Sequence, residues 1–237
     1  MSIFPAIIRL LKAEHAYRPI KGDLVLIGRQ RVELPEPTSD VELFASFCSA
    51  RVRALDVSPY EGAEIIHDLC TPLPDNLKGT ADFIFDGSCL DNLFDPGMAI
   101  RSLSAMLRPG GRIMLFEHST AIQGALVSFS PEWFFDFFAA NHYEDCQIKL
   151  GMFTSMQEAW ILQDWLPFDD KEKPVTASPD VGNFVSIVLA VKGERSTDDV
   201  APIQGYYREV HRAISFVDPY MMAHRKYLKS ARRLMVS

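Results

Sequence analysis

The chain contains no apolar run that approaches the length of a membrane-spanning helix, no internal repeat and no low-complexity tract. A helix that crosses a bilayer needs about 20 apolar residues, so we expect none here. The four cysteines (Cys48, Cys70, Cys89 and Cys146) form no Cys-x-x-Cys pair and have no histidine nearby at zinc-finger spacing. We therefore predict buried, reduced thiols and no metal site.

The N-terminal stretch from Ile3 to Leu11 is apolar but short, and it lacks a leading basic region and a small-residue cleavage site. A signal peptide carries both features. We therefore interpret residues 2–12 as a packed amphipathic helix and expect a cytoplasmic protein.

The 237 residues are 48% apolar and 23% charged, which suits one α/β domain with additions. The net charge of −7 is uneven, because the tail from Tyr206 onward carries seven basic and two acidic residues. An acidic body argues against nucleic-acid binding. The basic tail is open to several interpretations: a solvated face, contact with a membrane surface, contact with an acidic substrate, or contact with the acidic body of a second copy in a homodimer.

The segment from Ala81 to Glu117 predicts a strand, a helix and a second strand. An apolar run over 81–85 is followed by a helical pattern from Pro96 to Leu107, and Pro109-Gly110-Gly111 ends that pattern before a run over 112–117. Proline and glycine cannot continue a helix, and they allow a sharp reversal of the chain. The segment is therefore predicted to be one βαβ unit.

The remaining apolar runs predict further strands at 23–28, 51–57, 64–67, 143–152 and 183–192, with helices at 41–48 and from Ser130-Pro131 to about Asn141. Strands that alternate with helices indicate a parallel sheet with helices on both faces. The two late strands have no clear crossover helix between them, which fits an antiparallel last strand. Residues 153–181, which contain Trp160 and Trp165, are interpreted as a lid or insertion, and residues 201–237 as a basic helical extension.

Several segments resemble class I S-adenosylmethionine (SAM)-dependent methyltransferases. The sequence Leu107-Arg-Pro-Gly-Gly-Arg112 is similar to the turn before their fifth strand. The segments 27–30 (Ile-Gly-Arg-Gln), 54–62, 65–69, 72–74, 86–92 and 129–132 together resemble a bacterial group linked to polysaccharide or secondary-metabolite pathways. The resemblance covers about residues 22–150. It implies a Rossmann-like, seven-stranded, mostly parallel sheet with one antiparallel strand, residues 1–200 as the methyltransferase-like domain, and SAM as cofactor.

Ligands of open α/β sheets bind beyond the carboxyl ends of the strands. An acid after the second strand, Asp56, suits the two ribose hydroxyls of an adenosine cofactor, and Asp68 suits the adenine amino group while Leu69 packs against the ring. The backbone from Asp86 to Ser88 suits the methionine part. The predicted cofactor-binding residues are Gly28, Arg29, Gln30, Asp56, Val57, Asp68, Leu69, Asp86, Gly87 and Ser88.

The sequence also departs from the pattern of the superfamily. The usual Gly-x-Gly-x-Gly loop after the first strand is reduced to Gly28, and Leu26 stands where an acid is usual. Arg29 or Gln30 could replace the loop by contacting the cofactor carboxylate; alternatively, the site does not bind SAM. The absence of Gly-x-Gly-x-x-Gly disfavours a nicotinamide or flavin cofactor.

His118, just after the fifth strand, is the candidate base for methyl transfer, and the alternative is an exposed loop histidine. Asp91 is the second candidate catalytic residue, and the alternative is a cap for the following helix. Asn92 replaces the histidine of the family segment. Four phenylalanines at 134–138 predict core packing first and an apolar acceptor pocket second.

The sequence therefore predicts a SAM-dependent methyltransferase that acts on a small-molecule acceptor, with an oxygen of a sugar or natural product implied by the resemblance. The main alternative is a catalytically silent methyltransferase-like protein that binds or scaffolds partners, which the lost glycines and the missing histidine favour. A nucleotide-sugar or NAD enzyme is a third interpretation.

Overall fold

The computed structural model describes residues 2–120, 124–157, 160–165 and 182–204. Its centre is an eight-stranded sheet with the strand order β3-β2-β1-β4-β5-β8-β6-β7. The strands are β1 (Asp23–Ile27), β2 (Arg51–Asp56), β3 (Ile65–Ile66), β4 (Ala81–Gly87), β5 (Leu107–His118), β6 (Asp145–Phe153), β7 (Ile161–Trp165) and β8 (Asn183–Val191).

The five strands β1 to β5 are parallel, and β8 is antiparallel to both of its neighbours, β5 and β6. This arrangement confirms the α/β, Rossmann-like fold class and the reversed last strand. One strand, β7, was not expected. It pairs with β6 in an antiparallel ladder and makes the sheet eight-stranded.

The unexpected strand lies in the segment that was interpreted as a lid. Trp160 stacks on Phe153 with ring centroids 4.6 Å apart and on Phe116 at 5.4 Å, and it is 9% exposed. Residues 160–165 are therefore packed against the body of the protein, since aromatic stacking and burial hold Trp160 there. The part of the segment at 166–181 and the basic tail from residue 205 lie outside the described residues.

Helices cover both faces of the sheet, as expected. On one face α1 (Pro5–Tyr17) and α2 (Asp40–Ala45) pack on the β1 residues that point to that face, such as Leu24 and Leu26. On the other face α3 (Pro96–Met106) and α4 (Pro131–Ala140) pack on Val25 and Ile27. Neighbouring residues of a strand point to opposite faces. Because helices cover both faces, residues 24–27 of the first strand are all buried and form a continuous apolar run.

The ends of these helices follow from local sequence. Ser39, Asp95 and Ser130 each accept a hydrogen bond from a backbone N–H in the first turn of the helix that follows, so each is an N-cap. All four phenylalanines of α4 are buried, which confirms core packing as their main role. No helix in the described part of the chain is long and apolar enough to cross a membrane.

The Pro109-Gly110-Gly111 turn is a bulge within β5 rather than a break before it. Ala81 pairs with Leu107 while Phe83 pairs with Arg112, so the residues between Leu107 and Arg112 loop out of the ladder. Gly110 has φ +78°, a conformation that glycine adopts without strain. The strand therefore begins five residues earlier than the sequence predicts.

Candidate functional site

The carboxyl ends of the parallel strands form one edge of the sheet, which we call the carboxyl edge. Ile27 pairs with Leu55 on one side and with Asp86 on the other, so the residues that follow β1, β2 and β4 are neighbours. Gly28 and Asp56 lie at these ends, and Asp68 follows the short strand β3. The structure thus places Gly28, Asp56, Asp68 and Asp86 at a single edge of the sheet.

Gly28 turns the chain away from the sheet. Its φ is +67°, and its N–H donates a hydrogen bond to the carbonyl of Leu55 at 2.7 Å. A side chain is strained in this left-handed conformation, so the surviving glycine has a structural reason. The turn that follows directs Arg29 and Gln30 back toward the body of the protein.

Arg29 is held by acidic side chains of this chain. One guanidinium nitrogen lies 2.5 Å from Glu64 Oε1 and 3.2 Å from the carbonyl of Gly62, and the other lies 3.5 Å from Asp40 Oδ1. The predicted contact between Arg29 and a cofactor carboxylate stays a prediction, and it would require Arg29 to exchange or share these partners.

Gln30 is 3% exposed and fills the space beside Gly87. Its amide nitrogen donates to the carbonyl of Ile27 at 2.8 Å, and its backbone N–H donates to Asp40 Oδ2 at 2.8 Å. A Cβ atom added at Gly87 would lie 2.3 Å from Gln30 Oε1. The glutamine side chain therefore occupies the surroundings of the second predicted glycine of the site, and it requires that glycine to have no side chain.

Asp56 stands at the open side of the carboxyl edge. Its Oδ1 accepts the backbone N–H of Ser58 at 3.2 Å, and its side chain is half-buried. Val57 and Tyr60 follow it in the chain and Ile66 is its partner on β3, and these apolar residues are 66%, 89% and 50% exposed. A carboxylate beside exposed apolar groups suits a ligand that combines hydroxyls with a flat ring.

Asp68 and Leu69 differ in their surroundings. Asp68 is exposed, and its Oδ1 accepts the backbone N–H of Cys70 at 2.9 Å. Leu69 is 4% exposed and belongs to the core on the α3 and α4 face. The contacts predicted for these two residues with an adenine ring stay predictions.

A group of buried acids, which we call the carboxyl cluster (Asp86, Asp91 and Glu117), lies at the ends of β4 and β5. Asp86 and Glu117 are fully buried and Asp91 is 1% exposed. The two oxygens of Glu117 accept the backbone N–H groups of Leu90 and Asp91 at 3.3 and 3.1 Å. Asp86 Oδ1 accepts the N–H of Cys89 at 2.8 Å.

The sequence did not single out Glu117, which looked like the polar last residue of an apolar strand. The available signal was that Glu117 directly precedes His118 on β5, while Asp86 ends the neighbouring strand β4. Only the pairing of these two strands shows that their side chains meet.

Burial is the main influence on the carboxyl cluster. It raises the pKa of Asp86 to about 7, although hydrogen bonds from Cys89 and Glu117 oppose the shift. Burial also raises the pKa of Glu117 well above its usual range, and the negative charges of Asp86 and Asp91 add to the effect. Burial therefore favours protonation of this neighbouring pair of acids.

His118 is a buried residue at the end of β5, not an exposed loop histidine. It is 4% exposed, and burial lowers its pKa below the usual value even though the charge of Asp91 raises it. The imidazole is therefore neutral near pH 7. Its Nδ1 atom has no hydrogen-bond partner among the described residues.

Asp91 does not cap the following helix, since Asp95 fills that role through a 2.9 Å bond from the N–H of Met98. Its Oδ2 instead accepts the hydroxyl of Ser88 at 2.5 Å. Ser88 has φ +75°, which is uncommon for a residue with a side chain and marks a strained turn. Strain of this kind concentrates at functional sites, so the Ser88 turn supports the choice of this region as the candidate site.

The comparisons with known proteins give structural likeness only. No family model and no curated protein matches the chain. Among solved structures, a methyltransferase domain of the citrinin polyketide synthase is 11% identical, with a TM-score of 0.49 over 80% of this chain and 53% of that one. A Thermotoga maritima SAM-dependent methyltransferase, described as a possible histamine N-methyltransferase, is 13% identical, with a TM-score of 0.47 over 78% of this chain and 89% of that one.

A Haemonchus contortus phosphoethanolamine N-methyltransferase, solved with phosphomonomethylethanolamine and S-adenosylhomocysteine, is 13% identical, with a TM-score of 0.48 over 78% of this chain and 52% of that one. The chain thus spans about half the length of the first solved structures that it matches. These likenesses are too distant to assign an activity, which has to be argued from the residues of the site.

Proposed function

We propose that the protein is a SAM-dependent methyltransferase that acts on a small molecule. The observation that carries the proposal is the position of Asp56. It ends β2, beside the strand order reversal at β1, with exposed Val57 and Ile66 next to it. Ligands of open α/β sheets bind at such a reversal, and an acid at this position accepts hydrogen bonds from ribose hydroxyls.

The residues fit the adenosine half of the cofactor better than its methionine half. Asp56 would accept the ribose hydroxyls, Val57 and Ile66 would cover the adenine ring, and the exposed Asp68 would receive the adenine amino group. On the other side, Gln30 occupies the surroundings of Gly87, and Arg29 already has two acidic partners. When bound, SAM supplies a methyl group that is already activated by a positively charged sulfur, so the protein mainly has to position the acceptor.

The chain offers one candidate base. The neutral His118 has an unpartnered Nδ1 that would take a proton from the acceptor, and Asp91 stabilises the resulting imidazolium by its negative charge. The sequence resemblance alone implies an oxygen of a sugar or natural product as the acceptor.

Calorimetric titration with S-adenosylhomocysteine tests the proposal without knowledge of the acceptor. We expect binding to the wild type and a loss of about 1.5–3 kcal/mol, or about 10- to 150-fold in Kd, in Asp56→Ala, because charge-assisted hydrogen bonds are removed. Asp75→Ala is the matched control, since the Asp75 side chain is 95% exposed and its ion pair is with Lys78.

Absence of any heat at millimolar ligand would contradict the proposal and favour the catalytically silent alternative. Equal binding by the wild type and Asp56→Ala would show that the adenosine site lies elsewhere.

A further inference from the structure

Two buried polar atoms at the ends of β4 and β5 have no hydrogen-bond partner among the described residues. They are Asp91 Oδ1 and His118 Nδ1. Their side chains are 1% and 4% exposed, and the two residues are within Coulombic range of each other. A buried acceptor without a donor is unfavourable. Two such atoms together therefore point to a missing ligand that donates hydrogen bonds.

The charge of this region is also unbalanced. The carboxyl cluster holds three buried acids, of which Asp86 and Glu117 bind protons more tightly than usual because of burial. Within the described part of the chain, no lysine or arginine forms an ion pair with any of the three, while the nearby Arg29 is engaged by Asp40 and Glu64. Buried negative charge without a counter-ion is unfavourable, so the missing ligand should be a cation.

We propose that the carboxyl cluster and His118 form a binding site for an alkylammonium group, and that the methyl acceptor is an amine in place of the oxygen that the sequence resemblance implies. The assignment of the amine as acceptor rests on the proposed function; the cation site does not. An ammonium group has several N–H donors in a compact head, which matches acceptor atoms on different side chains. A sugar hydroxyl offers one donor and no charge, so it would leave the cluster unbalanced.

The surroundings indicate an amine with an apolar body. Phe94 is 91% and Leu126 63% exposed. Both lie close to Asp91 along the chain or through the backbone, because the N–H of Leu126 donates to the carbonyl of Asp91 at 2.7 Å. The hydroxyl of the half-buried Ser88 donates a hydrogen bond to Asp91 Oδ2, so Asp91 lies next to a partly exposed residue.

The residues would divide the work as follows. Asp91 Oδ1 accepts an N–H bond and holds the ammonium group. His118 Nδ1 then accepts the proton that the nitrogen must lose before it can act as a nucleophile. Glu117 would act as a positioning residue, because its bonds to the N–H groups of Leu90 and Asp91 fix the turn that carries Asp91.

The test compares a charged and a neutral probe of the same shape. Benzylamine and benzyl alcohol are titrated calorimetrically at pH 7 into the full-length wild type, Asp91→Asn and Asp95→Asn. Asp95→Asn is the control, because it makes the same substitution four residues away at an exposed helix cap. S-Adenosylhomocysteine is titrated into the same three proteins, and circular dichroism verifies their fold.

We expect benzylamine to bind the wild type and Asp95→Asn at least tenfold more tightly than benzyl alcohol, and Asp91→Asn to lose this preference while it retains S-adenosylhomocysteine. Equal affinity for the two probes, or binding of neither, would overturn the cation site. A parallel loss of S-adenosylhomocysteine in Asp91→Asn would show that the ammonium belongs to the cofactor and would overturn the acceptor assignment. Binding of benzylamine without S-adenosylhomocysteine would leave the cation site standing and refute the methyltransferase proposal.

Discussion

The two edges of the sheet differ in whether their acidic side chains have basic partners. At the amino edge, where the parallel strands begin, Asp23 pairs with Arg51, Arg53 and Arg108, and Arg108 also pairs with Asp82. At the carboxyl edge, the carboxyl cluster has no basic partner within the described residues. Paired charges cost a fold little, whereas unpaired buried charges lower its stability and are retained where a ligand supplies the partner.

The buried ion pair near the amino edge should give the largest effect. Glu14 on α1 pairs with Arg112 at the bulge end of β5, and the two side chains are 3% and 5% exposed. Glu14→Ala leaves Arg112 buried without this partner, so we expect a loss of about 3–5 kcal/mol in the free energy of unfolding. Urea denaturation measures it.

The double variant Glu14→Leu/Arg112→Met is the control for this pair, because it removes both charges and keeps the volume. It should unfold within about 1 kcal/mol of the wild type or be more stable. A Glu14→Ala variant as stable as the wild type would remove the contrast between the two edges.

The pH dependence of stability should have opposite signs at the two edges. Burial raises the pKa of Asp86 to about 7, so the folded state binds its proton more tightly than the unfolded state does. The stability that this proton provides is complete below about pH 4 and is lost as the pH rises toward 7. For Asp23, burial raises the pKa, but Arg51, Arg108 and Arg53 outweigh burial and lower the pKa overall. The stability that the Asp23 carboxylate provides is therefore lost as the pH falls below the usual pKa of an aspartate.

Between pH 4.5 and 7.5 we therefore expect the loss of the Asp86 proton to make the unfolding free energy of the wild type fall by about 2–4 kcal/mol as the pH rises. This fall should be absent in Asp86→Asn. Asp145, whose pKa burial raises to about 6, contributes a fall of the same sign in both proteins, so the comparison has to be made as a difference. Identical slopes for the two proteins would mean that Asp86 is not protonated in the folded state.

How far the sequence predicts this structure differs between backbone and side chains. The strand ends that carry Asp56 and Asp86 were predicted because continuous apolar runs indicate buried parallel strands, and such strands end at one edge. The strand β7 was missed because Ile161 to Trp165 alternates exposed and half-buried positions within a polar, proline-rich segment. A short edge strand gains its stability from pairing with β6, which no local pattern reveals.

The candidate site shows the same limit. Its acids could be named from the sequence, but their protonation could not, because the pKa of Asp86 depends on burial and on Glu117 from another strand. Likewise, Arg29 and Gln30 were identified by their place after Gly28. Their partners Asp40, Glu64 and Ile27 are set by the turn that Gly28 makes.

The two smallest predicted effects on the free energy of unfolding have opposite signs at the two edges. Arg108→Ala removes half-exposed ion pairs with Asp23 and Asp82 and should lower the free energy of unfolding by about 1 kcal/mol. Asp91→Asn keeps an acceptor for the Ser88 hydroxyl and removes repulsion from Asp86 and Glu117, so we expect it to raise the free energy of unfolding by about 1 kcal/mol. Both are measured by urea denaturation at pH 7 without ligand. A destabilised Asp91→Asn variant would mean that the Asp91 carboxylate is already satisfied in the ligand-free protein, and the charge of the carboxyl edge would then need no external partner.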